Sequence, residues 1–186
     1  MISFQINEGY SQENHFIHKG LVNTVGTFAI RSMTNVDVKN IYLHGELEYF
    51  GSTYISIKGE TDYFVSSTSD YKPFEFNHAS FTGIAFHLPL AKAIYLDPFW
   101  AIEPGIAYTK LQDRMVLEDA PRKPSFDPLL STSIGINYYA RNLIYFSCSI
   151  RYLWGRHLSN DASDASEKPL SLNEVKLMFG LGLHFN

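Results

Sequence analysis

Hydrophobic positions recur along this chain with a period of two, in segments of about ten residues separated by stretches rich in Ser, Asp, Lys and Pro, the pattern of half-buried β-strands. The last segment is the cleanest. From Asn173 to Asn186 one face reads Val175, Leu177, Phe179, Leu181, Leu183 and Phe185, and the other Glu174, Lys176, Met178, Gly180, Gly182 and His184. Seven further segments sort in the same way, at Val22 to Arg31, Ile41 to Phe50, Ile55 to Val65, Asn77 to Leu88, Phe99 to Leu111, Leu130 to Tyr138 and Ile144 to Trp154. The sequence therefore predicts eight strands.

Their connections alternate in length. Those near Gly51 to Thr53, Leu90 to Asp97 and Ala140 to Asn142 are short. Ser66 to Phe76, Asp113 to Asp127 and Arg156 to Ser171 are long and polar, and Thr34 to Asn40 is intermediate. An even number of strands with short turns at one end and long loops at the other is the layout of an all-β, eight-stranded antiparallel up-and-down transmembrane β-barrel. On this reading residues 20–186 form the barrel and residues 1–19 a periplasmic N-terminal segment. Pro104, which cannot donate to a ladder, predicts a bulge or irregularity in the fifth strand.

Period two does not say which face is inside, and a soluble small-ligand barrel would invert the assignment. Three features favour lipid outside. The polar face is crowded with small residues such as Ala29, Gly83, Ala85, Gly105, Ser131, Gly135 and Gly180, as a narrow lumen requires. The apolar face carries aliphatics in mid-strand and rings toward its ends, at Tyr49, Tyr63, Trp100, Tyr108, Tyr138, Tyr152, Trp154 and Phe185, in the manner of two aromatic girdles. Charges are missing from that face until Lys110 and Arg156 at the strand ends, and an Arg or Lys near the midplane would cost about 2–4 kcal/mol.

Composition sharpens this picture. Of 186 residues, 15% are aromatic and only 18% charged, below the usual quarter. The deficit of charge belongs to one face. The net charge of −4 provides no basic field for nucleic acid, which is excluded as a partner. No apolar run approaches the roughly 20 residues of a membrane-spanning helix. The first residues show neither a basic leader nor an apolar h-region, so an exported chain is expected here in processed form. Cys148 is the one cysteine; it reads as a small hydrophobe and permits no internal disulfide or thiolate metal cluster. His15 and His18 lack a completing carboxylate or cysteine and read as part of a solvated segment, so no metal site and no cofactor are expected.

The lumen is then expected to hold Arg31, Lys58, Arg151 and Lys176 with Glu46, Glu48, Glu60, Asp62, Glu103 and Glu174, beside His44, His87 and His184. Eight strands leave an interior that side chains fill, so these groups read as a paired ionic plug in preference to a proton or ion path.

The segments FNHASFTGIAFHLPL, LDPFWAIEPGIAYTKL and LNEVKLMFGLGLHFN resemble the small eight-stranded outer-membrane barrels of the OmpA and OmpX type, and in wording those of Bacteroidetes. The resemblance covers about residue 20 to the end. It implies the fold and a Gram-negative outer membrane, with no reaction. Such barrels often end on an aromatic residue, whereas here Phe185 is followed by Asn186.

One motif points to chemistry. His157-Leu158-Ser159-Asn160, with Glu174 beyond the loop, resembles the H-x-S-N signature of PagL-type lipid A deacylases. That resemblance implies Ser159 as nucleophile, His157 as its base, Glu174 orienting the imidazole and Asn160 as an oxyanion donor. Counting from Ile150, Tyr152 and Trp154, however, places His157 and Glu174 on the lumen face, where a lipid A deacylase needs them toward the membrane. A bulge near Gly155 would restore the phase. The expectation is therefore an integral outer-membrane barrel acting as a non-enzymatic accessory subunit, with outer-membrane lipid or lipopolysaccharide and other outer-membrane proteins as partners. Lipid A ester hydrolysis is the alternative, and a soluble ligand-binding barrel the second.

Overall fold

The computed structural model describes residues 16–33, 38–68, 74–90, 93–111, 124–140, 143–158 and 171–185. Its strands are β1 (Val22–Met33), β2 (Lys39–Phe50), β3 (Ile55–Ser67), β4 (Phe74–His87), β5 (Leu96–Leu111), β6 (Ser125–Tyr139), β7 (Ile144–Gly155) and β8 (Glu174–Phe185). Each pairs antiparallel with its sequence neighbour, and β1 pairs with β8 to close the barrel.

The register sets the shape. Following directly paired residues around the wall from Val22 leads through Tyr49, Ile57, Ile84, Ile102, Thr132, Tyr152 and Val175 back to β1 at Ser32, ten residues further along. With a rise of about 3.3 Å per residue and about 4.8 Å between strands, a stagger of ten over eight strands tilts them about 41° from the axis. The backbone cylinder then has a radius of about 8 Å, room for side chains and little else.

Alternation puts the charges inside and the apolar face out. Phe28 is 70% exposed and Ile134 61%, while Arg31 is 1% exposed and Arg151 and Lys176 are fully buried. A soluble barrel needs the inverse, which removes the ligand-binding alternative. An apolar exterior of this kind is tolerated where the solvent is hydrocarbon. Ile150→Arg, in the middle of that exterior, is expected to lower the stability of the barrel refolded in bilayers by about 2–4 kcal/mol. Denaturant titration checks it, and a variant within about 0.5 kcal/mol of the parent would mean that Ile150 does not face lipid.

Four strands begin two or more residues earlier than the sequence pattern suggests, β2 at Lys39 and β4 at Phe74 among them. β5 starts at Leu96 and β6 at Ser125, so Asp97 and Asp127, read as parts of connections, lie inside strands and face the lumen. The expected irregularity at Pro104 is a gap without a bulge: β4–β5 pairing goes from Phe81↔Gly105 to Ile84↔Ile102 in the same register with Pro104 and Glu103 unpaired to β4 between them, while β6 continues past it at Leu130. Gly83 makes room. A Cβ there would lie 2.1 Å from the Ile102 carbonyl oxygen and 2.7 Å from Glu103 Cα, so the two backbones approach more closely than a side chain allows. The register shifts that do occur lie toward the long-loop end, at Ile41/Tyr42 and Phe74/Phe76. No shift occurs at Gly155, where β6–β7 pairing runs through Leu129↔Gly155 and the bridge Arg156↔Ser171 continues the β7–β8 register.

Residues 16–21 pack into the barrel instead of hanging from it. Ile17 and Leu21 are buried with Phe50, Tyr139 and Tyr145 across the short-turn mouth, and the Phe16 ring stacks on Tyr139 with centroids 4.7 Å apart. Gly20 turns the chain with φ at +94°, and its N–H donates to the Phe50 carbonyl at 2.9 Å. His18 stays exposed, and His15 lies outside the described residues.

Candidate functional site

The lumen is a stack of polar layers. At mid-height the Arg151 guanidinium contacts Glu60 and donates to Glu103 at 2.6 Å, with Ser131 donating to the same Glu103 oxygen. Lys58 lies 3.0 Å from Glu46 and 3.6 Å from Glu60, its ammonium 4.5 Å from the Phe99 ring centre. Next toward the long loops, Arg31 spans Asp62 and Glu174, the latter at 3.0 Å, and lies over the Tyr42 ring. Lys176 donates to Asp62 at 2.6 Å, and His44 Nδ1 lies 2.8 Å from that carboxylate. The four lumen cations expected from sequence are thus all inside and all in contact with carboxylates. Burial of this kind is tolerable only with such partners, since an isolated buried ion is far too costly.

The layer at the short-turn end is built around His87. Ser56 spends its proton on Glu48 at 2.6 Å, so its oxygen accepts from His87 Nε2 at 2.8 Å. The other ring nitrogen donates to Asp97 at 2.9 Å, which Asn137 also reaches at 3.1 Å. Both ring nitrogens of His87 thus have an acceptor within hydrogen-bond reach. Asn23 bridges Glu48 and the Tyr139 hydroxyl, linking this layer to the closed mouth beneath it.

At the opposite mouth Asp127 gathers three donors: the Ser125 hydroxyl at 2.8 Å, the Leu158 N–H at 2.8 Å and His157 Nδ1 at 2.9 Å. His157 is 4% exposed and faces the lumen. Glu174 is also buried in the lumen, where it pairs with Arg31. The His157 carboxylate partner is therefore Asp127 on β6, in the place that the motif assigned to Glu174. Ser159 and Asn160 lie outside the described residues.

The outward rings fall into two groups. Tyr49, Trp100, Tyr138 and Phe185 sit near the short-turn ends of their strands, and Tyr63, Tyr108, Tyr152 and Trp154 toward the long-loop ends. All are exposed except Tyr152, which is half-buried against Trp154. Lys110 and Arg156, the outward cations named from sequence, lie beyond the upper group, and Lys110 contacts Glu75 at 2.5 Å.

Asp97 and Asp127 each precede a proline, and Asp beside Pro reads as a turn in sequence. The signal was present: steps of two back from Glu103 reach Asp97, and from Ser131 reach Asp127. The sequence pattern also gives no place to the inward rings Tyr42, Phe50, Phe64, Phe81, Phe99, Tyr139 and Tyr145, which are buried around the ionic layers.

No family model matches the sequence, and no curated protein matches it. Solved structures do. The N-terminal β-barrel domain of Pseudomonas aeruginosa OprF superposes with a TM-score of 0.61 at 10% identity, covering 91% of this chain and 100% of that one. Neisserial surface protein A gives 0.65 at 10% identity, covering 89% and 96%. The outer membrane protein OprG from Pseudomonas aeruginosa gives 0.65 at 13%, covering 91% and 98%. The apolar exterior and ionic interior suit a barrel surrounded by lipid, and the fold of this chain is that of the small eight-stranded outer-membrane β-barrels.

Proposed function

We propose that this chain is a non-enzymatic accessory subunit of an outer-membrane assembly, seated in lipid by its two girdles and docked to a neighbouring outer-membrane protein through its wall. The observation that carries this reading is the filled lumen. A barrel packed with paired charges and rings, with its short-turn mouth shut by Ile17 and Leu21, has its outer surface left to work with.

That surface is uneven. Gly26, Gly45, Thr61 and Ser80 are direct partners in a row across β1–β4, with Gly59 and Thr82 paired beside them. Nothing inside the chain demands such small residues: a Cβ on Gly26 meets nothing within 4 Å, and one on Gly45 only Thr61 Cγ2 at 3.7 Å. On the far side of the barrel the mid-height positions are large, as at Ile134 and Ile150. Small residues let a second membrane-embedded backbone approach closely, so the smooth side is where the partner fits.

A photo-crosslinking side chain placed at Gly45 in the full chain, expressed in its own outer membrane, is expected to give an adduct with another outer-membrane protein. The same probe at Ile134 should give none, and Gly26→Leu should abolish the adduct while leaving a folded barrel. Equal labelling at both positions, or none at either, counts against a docked wall.

A further inference from the structure

We infer that the middle of the lumen binds one divalent first-row transition-metal ion between His44, Glu46 and Glu60. One donor atom from each of these residues falls within 4.8 Å of the others. The topology brings them together: His44 and Glu46 are successive inward positions of β2, and Glu60 is the direct partner of Glu46 on β3. Two carboxylates directly opposite each other repel unless a cation lies between them.

The histidine is prepared for the ion. Its Nδ1 lies 2.8 Å from Asp62 Oδ1, and Lys176, 3.0 Å from the same nitrogen, donates to that oxygen at 2.6 Å. Nδ1 is taken up by Asp62 and Lys176, which leaves Nε2 as the ring nitrogen turned toward Glu46. That atom is buried and has no hydrogen-bond partner. It points at Glu46 Oε2 from 3.8 Å. This separation is too long for a hydrogen bond and suits two donors that share an ion at about 2.0–2.2 Å each. The carboxylate behind the imidazole is the usual outer support of a metal-bound histidine. A donor set of one imidazole and two carboxylates suits zinc, manganese or ferrous iron better than an all-oxygen cation or a thiophilic one.

Charge points the same way. Among the described residues the lumen carries eight carboxylates, at Glu46, Glu48, Glu60, Asp62, Asp97, Glu103, Asp127 and Glu174, against four Lys and Arg. Lys58 is the local competitor: it holds the other Glu46 oxygen at 3.0 Å and reaches Glu60 at 3.6 Å. Ammonium and metal ion therefore contend for the same pair of carboxylates, which gives the test a sign.

The experiment uses the full chain refolded in detergent, dialysed against Zn2+ alone and assayed for bound metal by mass spectrometry. The wild type should retain one ion per folded chain. Glu46→Gln should bind roughly tenfold more weakly or worse. Lys58→Met should bind more tightly than the wild type. A folded wild type that retains no zinc, or a Lys58→Met variant that binds no better, overturns the site. If Glu46→Gln does not fold, histidine-selective NMR of the wild type titrated with diamagnetic Zn2+ decides: the largest shift should fall on His44, and a largest shift on His87 or His157 refutes the assignment.

Discussion

Arg151→Met is expected to destabilise the folded barrel by about 3–5 kcal/mol, the cost of stranding buried charge whose partner has been removed. Arg151 is fully buried, and its two terminal nitrogens are divided between Glu60 and Glu103. Without it the two buried carboxylates are left in the mid-lumen with Lys58, 3.6 Å from Glu60, as a remaining cation. Methionine keeps much of the volume, so the loss isolates the electrostatic contribution from packing. Denaturant unfolding in detergent, followed by tryptophan fluorescence and by heat-modifiable gel migration, measures it. Adding Glu60→Gln and Glu103→Gln to Arg151→Met should recover a large part of the loss, because a matched neutral set strands nothing. An Arg151→Met barrel as stable as the parent would show that the network does not hold the lumen together.

The second large effect is steric. Gly83→Val is expected to prevent formation of the folded barrel, whereas Gly26→Val should fold as well as the parent. Both glycines lie in strands, and by propensity valine is the better strand residue. The difference lies in what the new carbon meets. At Gly83 the nearest atoms are the Ile102 carbonyl oxygen and Glu103 Cα, backbone that moves only if β4 and β5 separate beside Pro104. At Gly26 it meets nothing within 4 Å. Overpacking of a yielding site costs about 1–3 kcal/mol, and this site cannot yield without loss of pairing. The fraction of refolded chain migrating as the compact form reads the outcome. A well-folded Gly83→Val barrel would mean that the close approach of β4 and β5 is dispensable.

Much of this architecture was legible because a strand's period is two and a membrane barrel obeys it on every strand. The alternation of Ile144, Phe146, Ile150, Tyr152 and Trp154 against Ser149 and Arg151 is readable by eye, and the structure has that phase. The same count placed His157 on the lumen side. Three features resisted. Asp97 and Asp127 look like loop residues because the chemistry that suits a turn also suits a buried acceptor. The Asp127–His157 contact joins the start of β6 to the residue two past the end of β7, 30 positions along the chain, and no spacing rule encodes it. The packing of Phe16, Ile17 and Leu21 depends on a cavity at the barrel mouth that exists only once all eight strands have closed.

That closure has an unusual seam. Arg31 on β1 is the direct partner of Lys176 on β8, and Lys176 in turn is the direct partner of Arg151 on β7. Three cations therefore stand in a row where the last strand meets both of its neighbours. Left to themselves they would push β8 away. What draws the strand in is the anionic wall across the lumen, with Asp62 on β3 contacting both Arg31 and Lys176 and Glu60 contacting Arg151. The seam is therefore held partly from across the lumen: the carboxylates of β3 offset like charge that three adjoining strands place side by side, so β3 contributes to closing an edge it does not pair with.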